Sequence, residues 1–393
     1  MPSWTPALAA LAVLSPLVIA QTPPAPAASK PNIQRLASLE FPWGIAYLPD
    51  GRLLITEKPG RLRIYDGKAL SAPVGNLPAI SYRASQSEQG GLLDVAVDPE
   101  FAQNRRIYLS YVEEVQPQGT PPDDTNDARF GGFLDLKDNR LRRGVVVRAT
   151  LDGNQLSDVQ PIWRQEPTTV SRGHFALRLV FGRDNTLFVT SGDRMRFDPA
   201  QDLRSNLGKV VRINRDGSTP KDNPFAGKGD ARGDIWTLGH RNMLAAVLHP
   251  STGQLWVFEM GPLGGDEFNI IEAGKNYGWP VVSDGSNYDK SDIPDHATKP
   301  EFQKPVRTWT PVISPSGALI YDGSLFPWRG RAVVGSLSTM GLVVLTVEGT
   351  KVANEERVAI GRRVRDVIQA PDGALMVITD HKDGELMKVT PSR

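Results

Sequence analysis

One local pattern recurs along the sequence and limits the possible folds more than any other feature. It consists of an apolar strand-like run, a tight turn built on Pro-Asp-Gly or a similar group, and a second apolar run that ends in small or acidic residues. Six copies begin near residues 44, 92, 178, 246, 317 and 366. Such paired runs are typical of β-hairpins, and hairpins repeated at intervals of tens of residues are typical of a propeller. The sequence therefore predicts an all-β fold, a six-bladed β-propeller.

The spacing between the copies is uneven, which predicts long loops between some strands. Propellers place their ligands at one end of the central channel, so we expect these loops to form a site there. Two loops are candidates, residues 116–140 and residues 283–304, and the second contains Tyr288. The alternative for each is an idle surface loop, and for the first loop we prefer that alternative.

Several other classes of protein leave patterns that this sequence lacks. There is no long amphipathic helical periodicity, no Gly-rich phosphate loop, no nucleophile elbow of α/β-hydrolases and no zinc-protease motif. The chain has no cysteine, which excludes disulfides and thiolate chemistry. Its formal net charge is +1, and its acids and bases are mixed along the chain. A nucleic-acid partner is therefore not expected.

The N-terminus is predicted to be a signal peptide at residues 1–20. Residues 7–20 are apolar and end in the small residue Ala20. This stretch is short for a membrane span, so we expect a mature chain without one, in the periplasm or secreted. An apolar anchor that stays attached is the alternative. Residues 21–35, rich in Pro and Ala, are predicted to be a linker, and residues 36–393 a catalytic propeller domain.

Few side chains in this sequence suit general-base chemistry. His174 is one of five histidines and stands directly before the third repeat, near the predicted channel mouth. As a neutral imidazole it could accept a proton. The alternative is a hydrogen-bonded structural histidine, which the pattern alone favours. We assign structural roles to His240 and His249, which lie beside a strand and in a turn.

Three arginines suit a receptor for an anion. Arg363 and Arg365 are two positions apart in a strand, so their side chains project from the same face. With Arg241 they match a ligand that carries several carboxylates. Ion pairing of the two arginines with Asp366 or Asp380 is an equally good interpretation.

The residues that follow the fourth repeat offer only oxygen ligands. Gly261 and Pro262 have backbone carbonyls to offer, and Asp266 and Glu267 add carboxylates. Oxygen ligands of this kind favour calcium over zinc. A Gly-rich turn with solvated acids is the alternative.

These residues belong to an ordered series of short motifs. The series is FPWG from Phe41, QGGLLD from Gln89, HF from His174, QDL from Gln201, GHRN from Gly239, GP from Gly261, GDE from Gly265, NYGWP from Asn276, SPSG from Ser314 and RVRD from Arg363. Over residues 41–389 the chain resembles the soluble sugar dehydrogenases that depend on calcium and pyrroloquinoline quinone (PQQ). The bacterial aldose sugar dehydrogenases are the nearest of these.

The resemblance implies oxidation of a soluble aldose to a lactone, with hydride transfer to PQQ and an external electron acceptor. It implies that His174 is the catalytic base and that Asp266 orients the base or the cofactor. Cofactor binding would fall on Gln89, Arg241, Asn242, Tyr288, Arg363 and Arg365. Ca²⁺ binding would fall on the carbonyls of Gly261 and Pro262, with Glu267 and the Tyr277 carbonyl at a calcium nearby. The chain would be a monomer or a homodimer.

The sequence departs from the family pattern at several positions. Ala176 and Leu177 stand where the family has paired small residues, Ser338 stands where it commonly has a lysine for a cofactor carboxylate, and Met260 replaces a polar residue. These changes keep open a non-enzymatic propeller of the same lineage that binds sugar or protein. A calcium-dependent lactonase is the other alternative. The pair of Arg363 and Arg365 argues against a lactonase, because a neutral lactone needs no such receptor.

Overall fold

The computed structural model describes Met1 and residues 31–84, 88–116, 127–130 and 140–392. Within these ranges the chain forms six antiparallel sheets and one two-stranded ribbon, with only short helical segments. The prediction of an all-β, six-bladed propeller is confirmed. The predicted signal peptide after Met1, most of the linker and most of the 116–140 loop lie outside the described residues.

Each sheet is one blade, and the blades follow one another along the chain. After β1 (Asn32–Leu39), blade 1 contains β2 (Pro42–Tyr47), β3 (Leu53–Glu57) and β4 (Arg61–Tyr65). Blade 2 contains β5 (Leu92–Val97), β6 (Arg106–Val115), β7 (Leu141–Asp152) and β8 (Gln155–Arg164), with β9 (Thr169–Val170) paired to β7. Blade 3 contains β10 (Ala176–Phe181), β11 (Leu187–Ser191), β12 (Lys209–Ile213) and β13 (Ile235–Leu238).

The second half of the chain continues the same arrangement. Blade 4 contains β14 (Met243–Leu248), β15 (Leu255–Glu259), β17 (Asp266–Ile271) and β19 (Arg307–Trp309), and β16 (Leu263–Gly264) pairs with β18 (Gly285–Ser286) as the ribbon. Blade 5 contains β20 (Pro315–Ile320), β21 (Ala332–Ser336), β22 (Gly341–Glu348) and β23 (Lys351–Ala359). Blade 6 contains β24 (Val364–Gln369), β25 (Leu375–Thr379) and β26 (Gly384–Thr390). The helical segments are α1 (Phe101–Asn104) and three 3₁₀ turns, Ala128–Phe130, Asp198–Gln201 and His296–Thr298.

The six sequence repeats are the first two strands of the six blades. The first strand of each blade contacts the first strand of the next, and β24 contacts β2, so the inner strands close a ring. Apolar side chains pack between neighbouring blades all round this ring, for example Leu54 of blade 1 with Val95 and Leu109 of blade 2. This burial between sheets is what stabilises a propeller, because each sheet must cover its apolar faces with its neighbours.

Every inner strand has a break in register with the second strand of its blade, close to its first residues. A β-bulge bends a strand and redirects side chains. Arg178, Asp94 and Asp366, from three of these breaks, meet in the channel. Arg178 forms ion pairs of 2.8 Å with Asp366 and 3.2 Å with Asp94. Its guanidinium lies 4.1 Å from the ring centre of Trp43.

The two ends of the described chain meet in blade 6. β1 pairs with β26 from Asn32 opposite Thr390 to Leu39 opposite Gly384, and it becomes the fourth strand of that blade. The strand therefore includes residues 32–35, which were predicted to be linker. The chain then crosses directly from blade 6 into blade 1, and these two blades form the seam of the propeller.

Among the described residues, no helix has the length and apolar character that a membrane-spanning helix requires.

Candidate active site

A cavity of about 300 Å³ lies at the end of the ring where the inner strands begin. All six blades contribute to its lining. Blades 1 to 6 supply, among others, Lys58, Gln89, Ala176, Asn242, Ser314 and Arg365 in that order. The prediction of a site at one end of the channel therefore corresponds to a real cavity. Polar and apolar side chains both line this cavity, as is typical of small-molecule sites.

His174 stands at the border of this cavity, next to two lining residues. It directly precedes Phe175, and its backbone N–H donates a 2.9 Å hydrogen bond to Oε1 of Gln89. The backbone is left-handed at His174 (φ 51°), Ala176 (φ 57°) and Leu177 (φ 69°). Side-chain-bearing residues adopt this conformation at a cost, and such residues cluster at functional sites.

Asp193 fixes the imidazole of His174. Their Nδ1 and Oδ1 atoms are 2.6 Å apart, and both side chains are buried. The other carboxylate oxygen of Asp193 accepts a 2.8 Å hydrogen bond from Nε1 of Trp279, and the Met195 N–H donates to Oδ1 at 2.9 Å. A carboxylate at Nδ1 favours the proton on that nitrogen, which leaves Nε2 of His174 as an acceptor.

The electrostatics of the pair agree with this tautomer. Burial lowers the pKa of His174 below its ordinary value, and the charge of Arg241 lowers it further, although Asp193 opposes both effects. Burial alone would raise the pKa of Asp193, but its interaction with His174, the charge of Arg241 and the hydrogen bond from the Met195 N–H outweigh it and hold that pKa low. A neutral imidazole beside an ionised carboxylate is the arrangement that a general base needs.

Asp193 was missed in the sequence, where the resemblance implied that Asp266 orients the base or the cofactor. The Asp266 carboxylate instead accepts hydrogen bonds from the backbone N–H groups of Gly261 (2.9 Å), Ile313 (2.8 Å) and Ser314 (2.6 Å). It therefore joins two loops and does not orient His174. The one available signal for Asp193 was its place two positions after the end of β11, where the repeat ends in small or acidic residues.

Arg241 lies near enough to His174 for its charge to lower the pKa of the base, and its side chain contacts Tyr288. Its guanidinium donates at 3.0 Å to the Met260 carbonyl and at 3.0 Å to the Tyr288 hydroxyl. Its Nε and the Oδ1 atom of Asn242 are buried without a partner among the described residues. Buried polar atoms are nearly always hydrogen-bonded, so these two atoms indicate a site for a polar ligand.

Arg363 and Arg365 both line the cavity and share one carboxylate. Arg363 lies 2.8 Å from Asp380, and Arg365 lies 2.7 Å from it. Burial alone would raise the pKa of Asp380, but Arg365, Lys58 and Arg363 outweigh it and hold that pKa well below its ordinary range. The ion pair with Asp380 and the lining of the cavity, which the sequence offered as alternatives, are both present. Asp366 pairs with Arg178 instead.

Of the two residues that stand where the family has paired small residues, one lines the cavity and the other is buried away from it. Leu177 is fully buried in the core between blades 2 and 3, and only Ala176 lines the cavity. Gly144 makes room for Leu177, because a Cβ at Gly144 would lie 2.7 Å from Cδ1 of the leucine. The cavity therefore gains one methyl group relative to a glycine.

The predicted calcium ligands divide into two groups. Gly261 and Pro262 follow Met260, which lines the cavity, and the Gly261 N–H is bonded to Asp266. Glu267 belongs to the other group and is not among the residues that line the cavity. Its two carboxylate oxygens accept hydrogen bonds from His296 (3.1 Å) and Asn269 (3.0 Å). The Tyr277 ring stacks on His240 at 4.7 Å between ring centres. In the described ranges no three His, Asp or Glu side chains are grouped in a way that could hold a metal ion.

Comparisons with known proteins place the chain among sugar dehydrogenases. A sequence model of the glucose/sorbosone dehydrogenase family matches residues 39–388. The aldose sugar dehydrogenase YliI of Escherichia coli is 38% identical over 362 residues, which cover 90% of this chain and 91% of the relative. Quinoprotein glucose dehydrogenase B of Acinetobacter calcoaceticus is 27% identical and covers 90% of this chain and 86% of its own length. A crystal structure of a glucose dehydrogenase superposes with a TM-score of 0.81 at 38% identity, covering 92% of this chain and 100% of the other.

Proposed function

This chain belongs to the glucose/sorbosone dehydrogenase family, and on that premise we propose that it oxidises soluble aldoses to lactones with PQQ as its cofactor. The observation that carries the proposal is the pair of His174 and Asp193 at the border of a cavity rich in cations. The name of the Acinetobacter relative, a quinoprotein, supports the choice of cofactor.

The chemistry of the cavity lining fits PQQ. The cofactor is a flat quinone with three carboxylates, and Arg363 and Arg365 offer donors on one side of the cavity, while Asn242 and Gln89 offer polar amides. The unpartnered Nε of Arg241 and Oδ1 of Asn242 would find hydrogen-bond partners on such a ligand. Tyr288 would act through its hydrogen bond to Arg241. When bound, PQQ supplies a quinone that accepts a hydride from carbon 1 of the sugar.

His174 would take the proton of the anomeric hydroxyl on Nε2 while the hydride leaves the same carbon. The sugar thus loses two electrons and two hydrogens and becomes a lactone. Asp193 keeps the proton of the resting imidazole on Nδ1 and stabilises the imidazolium that forms. The lowered pKa of His174 keeps it neutral, and so ready to accept a proton, at neutral pH.

We extend the proposal to calcium through the carbonyls of Gly261 and Pro262. Carbonyl oxygens are ligands that this hard cation prefers. Glu267 fits a calcium ion less well, because both of its oxygens already accept hydrogen bonds from His296 and Asn269. The proposal therefore assigns calcium to the carbonyls of Gly261 and Pro262 alone.

Reconstitution tests the proposed function. Apoprotein is incubated with PQQ and CaCl₂, and reduction of an electron-accepting dye is followed with glucose and other aldoses, with EDTA and no-PQQ samples as controls. We expect dye reduction that requires PQQ and is lost with EDTA. Absence of dye reduction at saturating PQQ with every aldose would contradict the proposal. Hydrolysis of a lactone without PQQ would favour the lactonase alternative.

A further inference from the structure

Lys58 is a buried cation that forms no direct ion pair with the described residues. It lies in the turn between β3 and β4, is 5% exposed and lines the cavity. Its ammonium makes one hydrogen bond within the described part of the chain, a 3.0 Å bond to the backbone carbonyl of Glu88. The Glu88 carboxylate itself is engaged by Arg142 at 2.9 Å. For the other two ammonium hydrogens, the described ranges therefore provide no acceptor.

The neighbours of Lys58 increase this imbalance. Arg363 and Arg365 border the same cavity and share the single carboxylate of Asp380. Three cations thus share this side of the cavity with two carboxylates, Asp380 and Glu88, and the Glu88 carboxylate is already engaged by Arg142. Burial, followed by the charge of Arg365, lowers the pKa of Lys58 to about 8, against the opposing charges of Asp380 and Glu88. The Phe41 ring, 4.8 Å from the ammonium, gives only partial compensation through its π face.

A buried charge without a counter-charge is costly, and proteins keep such groups where a ligand completes them. We propose that Lys58 is a further cofactor-binding residue, whose ammonium binds a carboxylate of PQQ together with Arg363 and Arg365. This inference rests on the proposed function and adds a residue to its site. It also explains how the cavity can receive a multiply charged ligand although Ser338 carries no charge. Ser338 is exposed, and its hydroxyl bonds to the Val312 carbonyl.

The test is direct binding of PQQ to four proteins: the unaltered chain, Lys58→Met, Lys58→Arg and Lys68→Met. Lys68 is an exposed lysine of the same blade, so its substitution removes the same charge away from the cavity. Kd is measured by equilibrium dialysis, which needs no turnover. A charge-assisted hydrogen bond lost from a buried site predicts a Kd about 10- to 100-fold higher for Lys58→Met. Lys58→Arg should recover part of the affinity, and Lys68→Met should bind like the unaltered chain.

Thermal unfolding of the same proteins separates ligand binding from a structural role. Removal of an uncompensated buried charge should leave the Tm of the PQQ-free Lys58→Met protein unchanged or higher, while the Tm increase on adding PQQ becomes smaller. An unchanged Kd for Lys58→Met, whatever the Tm of that protein without PQQ, would overturn the inference and leave the proposed function standing. Failure of the unaltered chain to bind PQQ would overturn both.

Discussion

His174 gains its chemical character from Asp193, a residue 19 positions further along the chain. The carboxylate fixes the tautomer, and Trp279 and Met195 fix the carboxylate. The distinction between a structural histidine and a base therefore depends on a three-dimensional contact. In the sequence, the place of His174 directly before the third repeat was the pattern that separated it from His240, which is buried and bonded to Glu259 at 2.9 Å and to Thr237 at 2.9 Å.

We predict that His174→Ala abolishes turnover and leaves PQQ binding largely intact. The substitution removes the proton acceptor, whereas the residues proposed to bind the cofactor keep their positions. Dye-coupled kcat and the Kd of PQQ would be measured on the same preparation. Full residual activity in this variant would remove His174 from the mechanism.

A second prediction concerns Asp193→Asn. Loss of the carboxylate releases the tautomer and removes stabilisation of the imidazolium, so kcat should fall by about 10²- to 10⁴-fold. Because Asp193 raises the pKa of His174, its removal should lower that pKa further. The acid limb of the pH–rate profile, which in the unaltered enzyme should lie below pH 6.5, should therefore move to lower pH. An unchanged kcat, or an acid limb that moves to higher pH, would contradict the assigned role.

At the scale of strands, the repeated break in register distinguishes the inner strands from ordinary hairpins. The apolar runs predicted these strands well, because a strand that packs between two neighbouring blades buries both of its faces. The breaks themselves leave no clear pattern in the sequence. They turn Arg178, Asp94 and Asp366 toward one another. Fold class could thus be predicted, whereas the residues that fill the channel could not.

The contact of Leu177 with Gly144 gives a prediction at this scale. Gly144→Ala would place a methyl group 2.7 Å from Cδ1 of the leucine, so it should reduce the free energy of unfolding by about 1–3 kcal/mol. Leu177→Ala alone should cost about 2–5 kcal/mol through the space it leaves. The double variant should lose less than the sum, because the alanine relieves the clash. Chemical denaturation measures all three, and strictly additive losses would show that the two residues do not interact.

The whole molecule closes through β1, whose partner lies at the other end of the chain. No local sequence pattern predicts that strands more than 350 positions apart will pair, as Asn32 does with Thr390. For this reason the sequence assigned residues 32–35 to a linker. The same limit applies to Lys58, whose importance depends on arginines from blade 6.

We predict that a chain lacking residues 1–39 is markedly less stable than one lacking residues 1–30. The longer deletion removes the outer strand of blade 6 and the packing of Leu36 and Leu39. Loss of two or three buried apolar side chains corresponds to about 3 kcal/mol or more. It also exposes β26 as an edge, which favours aggregation. Thermal unfolding and light scattering measure both effects, and equal Tm values for the two chains would contradict closure by β1.

The cavity is lined in part by residues on both sides of the seam between blades 6 and 1. Arg365 and Asp380 belong to blade 6, and Trp43 and Lys58 belong to blade 1. A 2.9 Å hydrogen bond from the Phe41 N–H to the His381 carbonyl joins the two blades. A ligand that contacts residues of both blades would also hold the two blades together. Ligand binding would then slow the unfolding of the propeller under mechanical force or proteolysis. Occupancy of the cavity would therefore affect kinetic stability as well as catalysis.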